Sequence, residues 1–253
     1  MTRRFFILYL HELRMQLVTP AVYVAGTLFL GMMGIIHLMA LWQATVPQDW
    51  IPSENFFRTY YFPTLFFIPI LTMQSFAEER RLGTLGALLT TPVGPHVVTL
   101  AKFASAYTLY MLFWALALIF PFVANSVLVG SAADPRLLGA TSLAGGYLFI
   151  LSCAPLYVAV GILCSAMTRS VMIAAMIAFF AILVLLISHW GLHLLADSYE
   201  SLRWLHAPGD LLNMTKYVED FARGVVDTRP LLHSVSGAIL ALGAAAFVIE
   251  SKA

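Results

Sequence analysis

The sequence predicts an all-α membrane protein. The expected architecture is six transmembrane helices, an amphipathic helix ahead of the first, and a short cytoplasmic helix between the second and third. Three observations carry this. Hydrophobic residues make up 60% of the 253 and charged residues 11%, against roughly 45–50% and 25% in soluble domains. Apolar runs near the length of about 20 residues that a helix needs to cross the hydrocarbon core recur six times. Finally, the basic residues are distributed unequally between the two sets of short connections.

Taken in order, residues 3–18 are too polar to span. At helical period Arg3, Arg4, His11 and Arg14 share one side, while Phe5, Phe6, Leu8, Tyr9, Leu13 and Leu17 cover the rest. That pattern suits a helix lying in the inner interface with its basic side toward lipid headgroups, or a cytoplasmic helix packed on a partner. The basic start is not expected to be a cleavable signal, because His11, Glu12 and Arg14 interrupt the short apolar stretch and no small-residue cleavage site follows. The expected spans are 22–42, with His37 as the only strongly polar member, then 59–77, 103–129, 143–167, 171–193 and 231–249. Thr168, Arg169 and Ser170 leave only a tight turn between the fourth and fifth, which forces an antiparallel hairpin. Pro63, Pro69, Pro121 and Pro155 fall inside spans, where each removes a backbone hydrogen bond that neighbouring helices must replace. Gly237, Ala241 and Ala245 recur every fourth residue in the sixth span and permit close helix contact.

Lysine and arginine in short connections favour the cytoplasm. Arg3, Arg4, Arg14, Arg80, Arg81, Lys102, Arg169 and Lys252 fall on one side and Arg58 and Arg136 on the other, which predicts both termini inside. The long segment 194–230 then lies outside.

Composition and spacing exclude several chemistries. The three lysines follow Ala101, Thr215 and Ser251, so none completes a P-loop Gly-Lys pair. The pair His11-Glu12 lacks the second histidine of a zinc-protease helix, because Met15 stands there. Cys153 and Cys164 lie about 16 Å apart along one helix, too far for a disulfide, and are expected to be packed thiols. The net charge of +1 gives no reason to expect nucleic acid. No Asp, Glu, Lys or Arg lies in the six apolar cores, which argues against an ion-coupled carrier or channel acting alone. Asp210, Glu219, Asp220 and Asp227 crowd the outer segment without a metal-type cluster, so an enzyme with its site there is the weaker alternative.

The connection after the second span is the most informative segment. It reads Ser75-Phe76-Ala77-Glu78-Glu79-Arg80-Arg81-Leu82-Gly83-Thr84-Leu85-Gly86-Ala87-Leu88-Leu89-Thr90-Thr91-Pro92. A short helix here would present Leu82, Leu85 and Leu89 on one side as anchors for a soluble partner, with Pro92, Gly94 and Pro95 stopping it. Equally, it can be read as a plain charged stop-transfer loop. In the outer segment, Tyr217, Phe221 and Val225 at four-residue spacing suit an interfacial helix or an ordered loop.

The connection at 75–92 resembles the permease subunits of ABC-2-type transporters, and the outer run Phe221-Ala222-Arg223-Gly224-Val225-Val226-Asp227-Thr228-Arg229 is similar to the segment before their last span. The likeness is nearest to the branch containing gliding-motility-associated permeases. Gly86 and Ala87 depart from it, standing where many relatives carry Glu and a larger residue. The resemblance implies an inner-membrane assembly of two permeases, identical or sister chains, with soluble ABC ATPase subunits that hold the ATP and magnesium. This chain would then bind no cofactor or metal and have no catalytic residue. Lipid surrounds it, and some relatives act on extracytoplasmic partners. The implied coupling residues are Glu78, Glu79, Arg80, Arg81, Leu82, Gly83, Thr84, Leu85, Leu88, Leu89 and Pro92. The outer motif contributes Phe221, Arg223, Gly224, Asp227 and Arg229.

Overall fold

The computed structural model describes residues 2–43, 52–86, 94–128 and 140–251, which are helical almost throughout and contain no strand. Helix α1 (Thr2–Val18) and α2 (Pro20–Gln43) meet at Thr19. Then come α3 (Pro52–Arg58), α4 (Tyr61–Thr72) and α5 (Ala77–Leu82). After these run α6 (Pro95–Ala117), α7 (Ile119–Leu128), α8 (Ala140–Met167) and α9 (Val171–Ser198). A 3-10 turn (Glu200–Leu205) leads to α10 (His206–Leu211), α11 (Met214–Ala222) and α12 (Arg229–Ser251).

Five helices among the described residues are long and apolar enough to cross a membrane: 20–43, 95–124, 141–167, 171–198 and 229–251. The predicted second span differs. Its helix, α4, holds 12 residues, or about 18 Å of axial rise, and continues through turns into α3 and α5. Pro63 sits in its first turn, where a missing N–H is tolerated, and this divides α4 from α3. The third span also begins earlier than the apolar run. Pro95 opens α6 in the first helical turn, so Lys102 lies inside the helix rather than ahead of it.

Two of the prolines inside spans are accommodated in different ways, one by a helix break and one by neighbouring helices. Pro121 cannot donate to the Ala117 carbonyl, and the helix breaks at Leu118, whose N–H turns back to Ala115 at 3.3 Å. Pro155 frees the Leu151 carbonyl, and the Tyr107 hydroxyl of α6 donates to it at 3.0 Å. One residue on, the Leu156 N–H donates to Ser234 Oγ of α12 at 3.2 Å, and that hydroxyl donates to the Cys153 carbonyl at 3.1 Å. Ser234→Ala is therefore expected to destabilise the chain by about 1–3 kcal/mol, because a buried N–H loses its acceptor. Denaturant unfolding in detergent measures this, and a change within error of wild type would refute it.

The core is aromatic. Phe29, Phe56, Phe57, Phe67 and Trp114 pack edge-to-face, tilted or stacked with centroids 4.8–6.3 Å apart. Helix α8 is the central post, with 72% of its spanning window buried, whereas α9 buries 17% and turns the rest outward. Helix α12 packs closest on α8, with Ala238 and Ala241 against Ala159. Within the chain, Ala241 of the small-residue stripe packs here and Gly237 lets Leu156 approach. Cys153 and Cys164 are free and buried.

Candidate functional site

Helices α1 and α5, the start of α6 and the end of α12 meet around the charged connection. Lys102, 2% exposed, reaches out from the second turn of α6 between two carboxylates. Its Nζ donates to Glu12 Oε1 of α1 at 2.8 Å and to Glu79 Oε1 of α5 at 2.7 Å, and it lies 5.3 Å from the centroid of the Phe76 ring. One ammonium thus ties together three helices from distant parts of the chain. Burial raises the Glu79 pKa above the ordinary glutamate value; the Lys102 charge and hydrogen bond oppose that rise, Glu12 adds to it and His11 opposes it. Glu79 Oε2 has no hydrogen-bond partner among the described residues. Helix α1 is fixed further by Tyr9 Oη, 3.1 Å from Thr108 Oγ1, with Leu8 and Leu13 packed on the core. It is docked along α6 and still exposes Phe6, Ile7 and Leu10.

Behind α5 the chain is held by α8. Ser165 Oγ accepts from the N–H groups of Phe76 and Ala77 at 3.0 and 3.1 Å and donates to the Met73 carbonyl at 3.0 Å. It caps α5 from another helix, satisfying donors that a helix start leaves orphaned. Gly161 lets α8 come this near, since a Cβ there would stand 2.3 Å from Thr72 Oγ1.

The predicted coupling residues divide between distinct surroundings. Glu78 and Arg81 pair at 3.3 Å in the open. Glu79 points inward to Lys102. Arg80 donates to the Val248 carbonyl of α12 at 3.4 Å; burial, and then the nearby Arg169 charge, hold its pKa below the usual guanidinium value. Leu82 is 63% exposed and Leu85 6%, so they do not share one open stripe. Gly83 is the reason. It takes φ +73, and the Thr84 N–H turns back to the Glu79 carbonyl at 3.0 Å. This left-handed cap ends the helix and breaks the register that the i, i+3 spacing assumed. Leu88, Leu89 and Pro92 lie outside the described residues.

The outer motif is mostly structural grammar. Gly224 has φ +84, its N–H meets the Phe221 carbonyl at 3.0 Å, and the Val225 N–H meets that of Asp220 at 2.8 Å. This is a Schellman ending, with Arg223 as the cap of α11. Asp227 Oδ1 accepts from the Arg229 N–H at 2.9 Å, where α12 begins. Tyr217 and Phe221 are buried, but Val225, beyond the cap, is 61% exposed; the apolar stripe stops at Phe221. It faces α8, where Gly145 and Gly146 make room for the Phe221 carbonyl and the Phe57 ring. Ser142 Oγ donates to the Ala222 carbonyl at 2.8 Å, and Arg58 pairs with Glu219 at 3.1 Å. Between α4, α9 and α11 a cavity of about 480 Å³ opens, lined by Tyr61, Phe62, Ile187, His189 and Trp190.

Sequence reasoning counted Lys102 as a loop charge and missed its partners. The usable signal was Gly94-Pro95, a helix start read as a helix stop. Among the described residues no group of three or more His, Cys, Asp or Glu is arranged to hold a metal. Comparison with known proteins gives one finding of substance: the sequence pattern of the family described as ABC-2 family transporter protein matches residues 16–185. No curated protein matches the chain.

Proposed function

Because the chain belongs to the ABC-2 family of transporter proteins, we propose that it is the membrane permease subunit driven by force that a separate ATPase delivers to residues 77–86. The observation that carries this reading is Lys102 clamped between Glu12 and Glu79. With Ser165 gripping the start of α5, a push on this short helix moves α1, α6 and α8 as one body. Leu82, Glu78 and Arg81 are the open face of α5 and form the contact with the ATPase, which holds the ATP and magnesium. Helix α4, with its flanking turns, counts as a sixth crossing. The positive-inside bias of Arg80, Arg81 and Arg169 supports placing their end of the bundle, and with it both termini, in the cytoplasm of a bacterial-type inner membrane. A second permease, a copy or a sister chain, completes the pathway. The work is export, or force passed to a partner outside, and the two motifs resemble those of the gliding-motility-associated branch.

Leu82→Asp tests this without disturbing the core. The variant should fold with wild-type unfolding behaviour and retain at most about a tenth of the ATPase that co-purifies with the wild-type chain, since an apolar anchor lost from an interface centre costs about 1–2 kcal/mol or more. Full retention of the ATPase, or transport by the purified chain alone in liposomes driven by a proton gradient, would sink the reading.

A further inference from the structure

We propose that Arg80 and Arg169 hold the headgroup phosphate of an anionic phospholipid, one of whose acyl chains lies in an apolar groove along α9. Ser165 brings the two arginines together. Its hydroxyl fixes the start of α5 at Phe76 and Ala77. Arg80 stands one turn further along α5, and Arg169 lies four residues beyond Ser165, in the turn that leads from α8 into α9. Helix α5 also touches α9. Burial, and then the Arg169 charge, lower the Arg80 pKa, so the two guanidinium groups feel one another.

Among the described residues neither arginine is in an ion pair. Glu78 is taken by Arg81 and Glu79 by Lys102, and Glu250, two residues past Val248 on α12, pairs with neither arginine. Arg80 uses one N–H on the Val248 carbonyl at 3.4 Å, and Arg169 is exposed. A guanidinium carries its several donors in a fixed fork that matches phosphate oxygens. Arg169 also lies just ahead of α9, whose first N–H groups add positive potential. An anion that reaches both cations relieves their repulsion.

The groove decides what carries the anion. It starts at Ile173, four residues beyond Arg169, and runs along α9 past Met176, Phe180 and Val184 to Leu185, with Val160 of α8 beside them. Its volume is about 740 Å³, and every side chain lining it is apolar. From Ile173 to Leu185 the helix rises about 18 Å, against about 15 Å for half of a hydrocarbon core about 30 Å thick. A groove one leaflet deep that begins at a basic end suits a phospholipid's chain and headgroup together. A free phosphate would leave the groove unfilled, and an apolar helix of a second copy would leave the arginines unanswered. Basic pockets between membrane helices take anionic headgroups in this way. The leaflet is the inner one under the orientation proposed above; binding at the two arginines does not depend on that orientation.

Native mass spectrometry of the full chain, released from detergent micelles, tests this without any ATPase, so a negative result leaves the permease reading standing. The probes are dioleoyl phosphatidylglycerol, dioleoyl phosphatidylcholine and glycerol 3-phosphate. The wild type should hold one phosphatidylglycerol about tenfold more tightly than phosphatidylcholine, and glycerol 3-phosphate at the same concentration should not displace it. Arg169→Gln alone, at an exposed position, should lower that preference about threefold, and Arg80→Gln with Arg169→Gln should abolish it. Arg203→Gln with Lys216→Gln removes the same charge elsewhere and should leave the preference intact. Ala181→Phe, which fills the groove, should weaken both lipids alike. Equal retention of the two lipids by the wild type, a preference that survives loss of both arginines, or an equal loss in the Arg203 and Lys216 control overturns the proposal. Displacement by glycerol 3-phosphate overturns the lipid in favour of a simple anion site, and a lipid-free dimer overturns it in favour of a second copy over the groove.

Discussion

Lys102→Met should cost about 3–5 kcal/mol of stability, because it leaves Glu12 and Glu79 facing one another without the cation they share. Against a total near 5–15 kcal/mol, that is enough to loosen α1 and α5 at the temperature of the cell. The argument depends on burial, since the ammonium is 2% exposed and water cannot replace it. The triple variant Lys102→Met, Glu12→Gln, Glu79→Gln should recover most of the loss, as removing all the charges of a buried network is often nearly neutral. If α5 receives the force as proposed, transport should not recover, for the tie between that helix and α6 would be gone. The pH dependence has a definite sign. Burial raises the Glu79 pKa in the folded protein, so the folded state holds that proton more tightly than the unfolded one. Stability from this group is present below the ordinary glutamate value and falls as pH climbs through the raised one. Lys102→Met removes the largest opposing influence and should steepen the fall. Denaturant unfolding across pH 4 to 8 measures both. A single variant within about 1 kcal/mol of wild type would show that the ammonium does not hold the three helices.

Gly145→Val is the counterpart at the other end. A Cβ at this position would lie 1.9 Å from the Phe221 carbonyl oxygen and 2.7 Å from its carbon. Both are backbone atoms, so no side chain can rotate out of the way and α11 must lift. That gives up the Ser142 bond to Ala222 and exposes the Tyr217, Val218 and Phe221 side chains, each worth about 1.5–3 kcal/mol when buried. Hydrogen exchange of 214–222 should accelerate at least about tenfold, while 77–82 stays as in the wild type, because a loss of about 1.4 kcal/mol is already a tenfold change. Gly191→Val, where nothing lies within 4 Å, is the control and should change neither segment. Unaltered exchange in Gly145→Val would mean that the cap is not seated on α8.

Much of the fold was legible in the residue pattern. Helices α2, α8, α9 and α12 begin and end within a few residues of their apolar runs, because lipid forces long uninterrupted helices and the runs mark where lipid lies. The hairpin at Thr168–Ser170 followed from its length alone, and Ser170 caps α9. Boundaries failed where proline had two meanings. Proline stops a helix that reaches it, yet its fixed φ also opens one, and reading Pro95 as a stop hid the burial of Lys102. The stripe through Leu82 and Leu85 failed because heptad-like spacing presumes continuous helix, which Gly83 interrupts.

Composition and periodicity alone determined that this chain is a helical membrane protein, where most of its helices run, and which connection carries the charge. Those properties follow from transfer free energies, which each residue carries with it wherever it sits. Only the tertiary structure decided that Lys102 meets Glu12 and Glu79, that Tyr107 and Ser234 mend the break at Pro155, and that Phe221 is buried with its carbonyl against Gly145. These depend on which faces of distant helices come together, and a polar group buried in a bundle takes the partner that packing brings within 3 Å or so, however far away that partner lies in the chain.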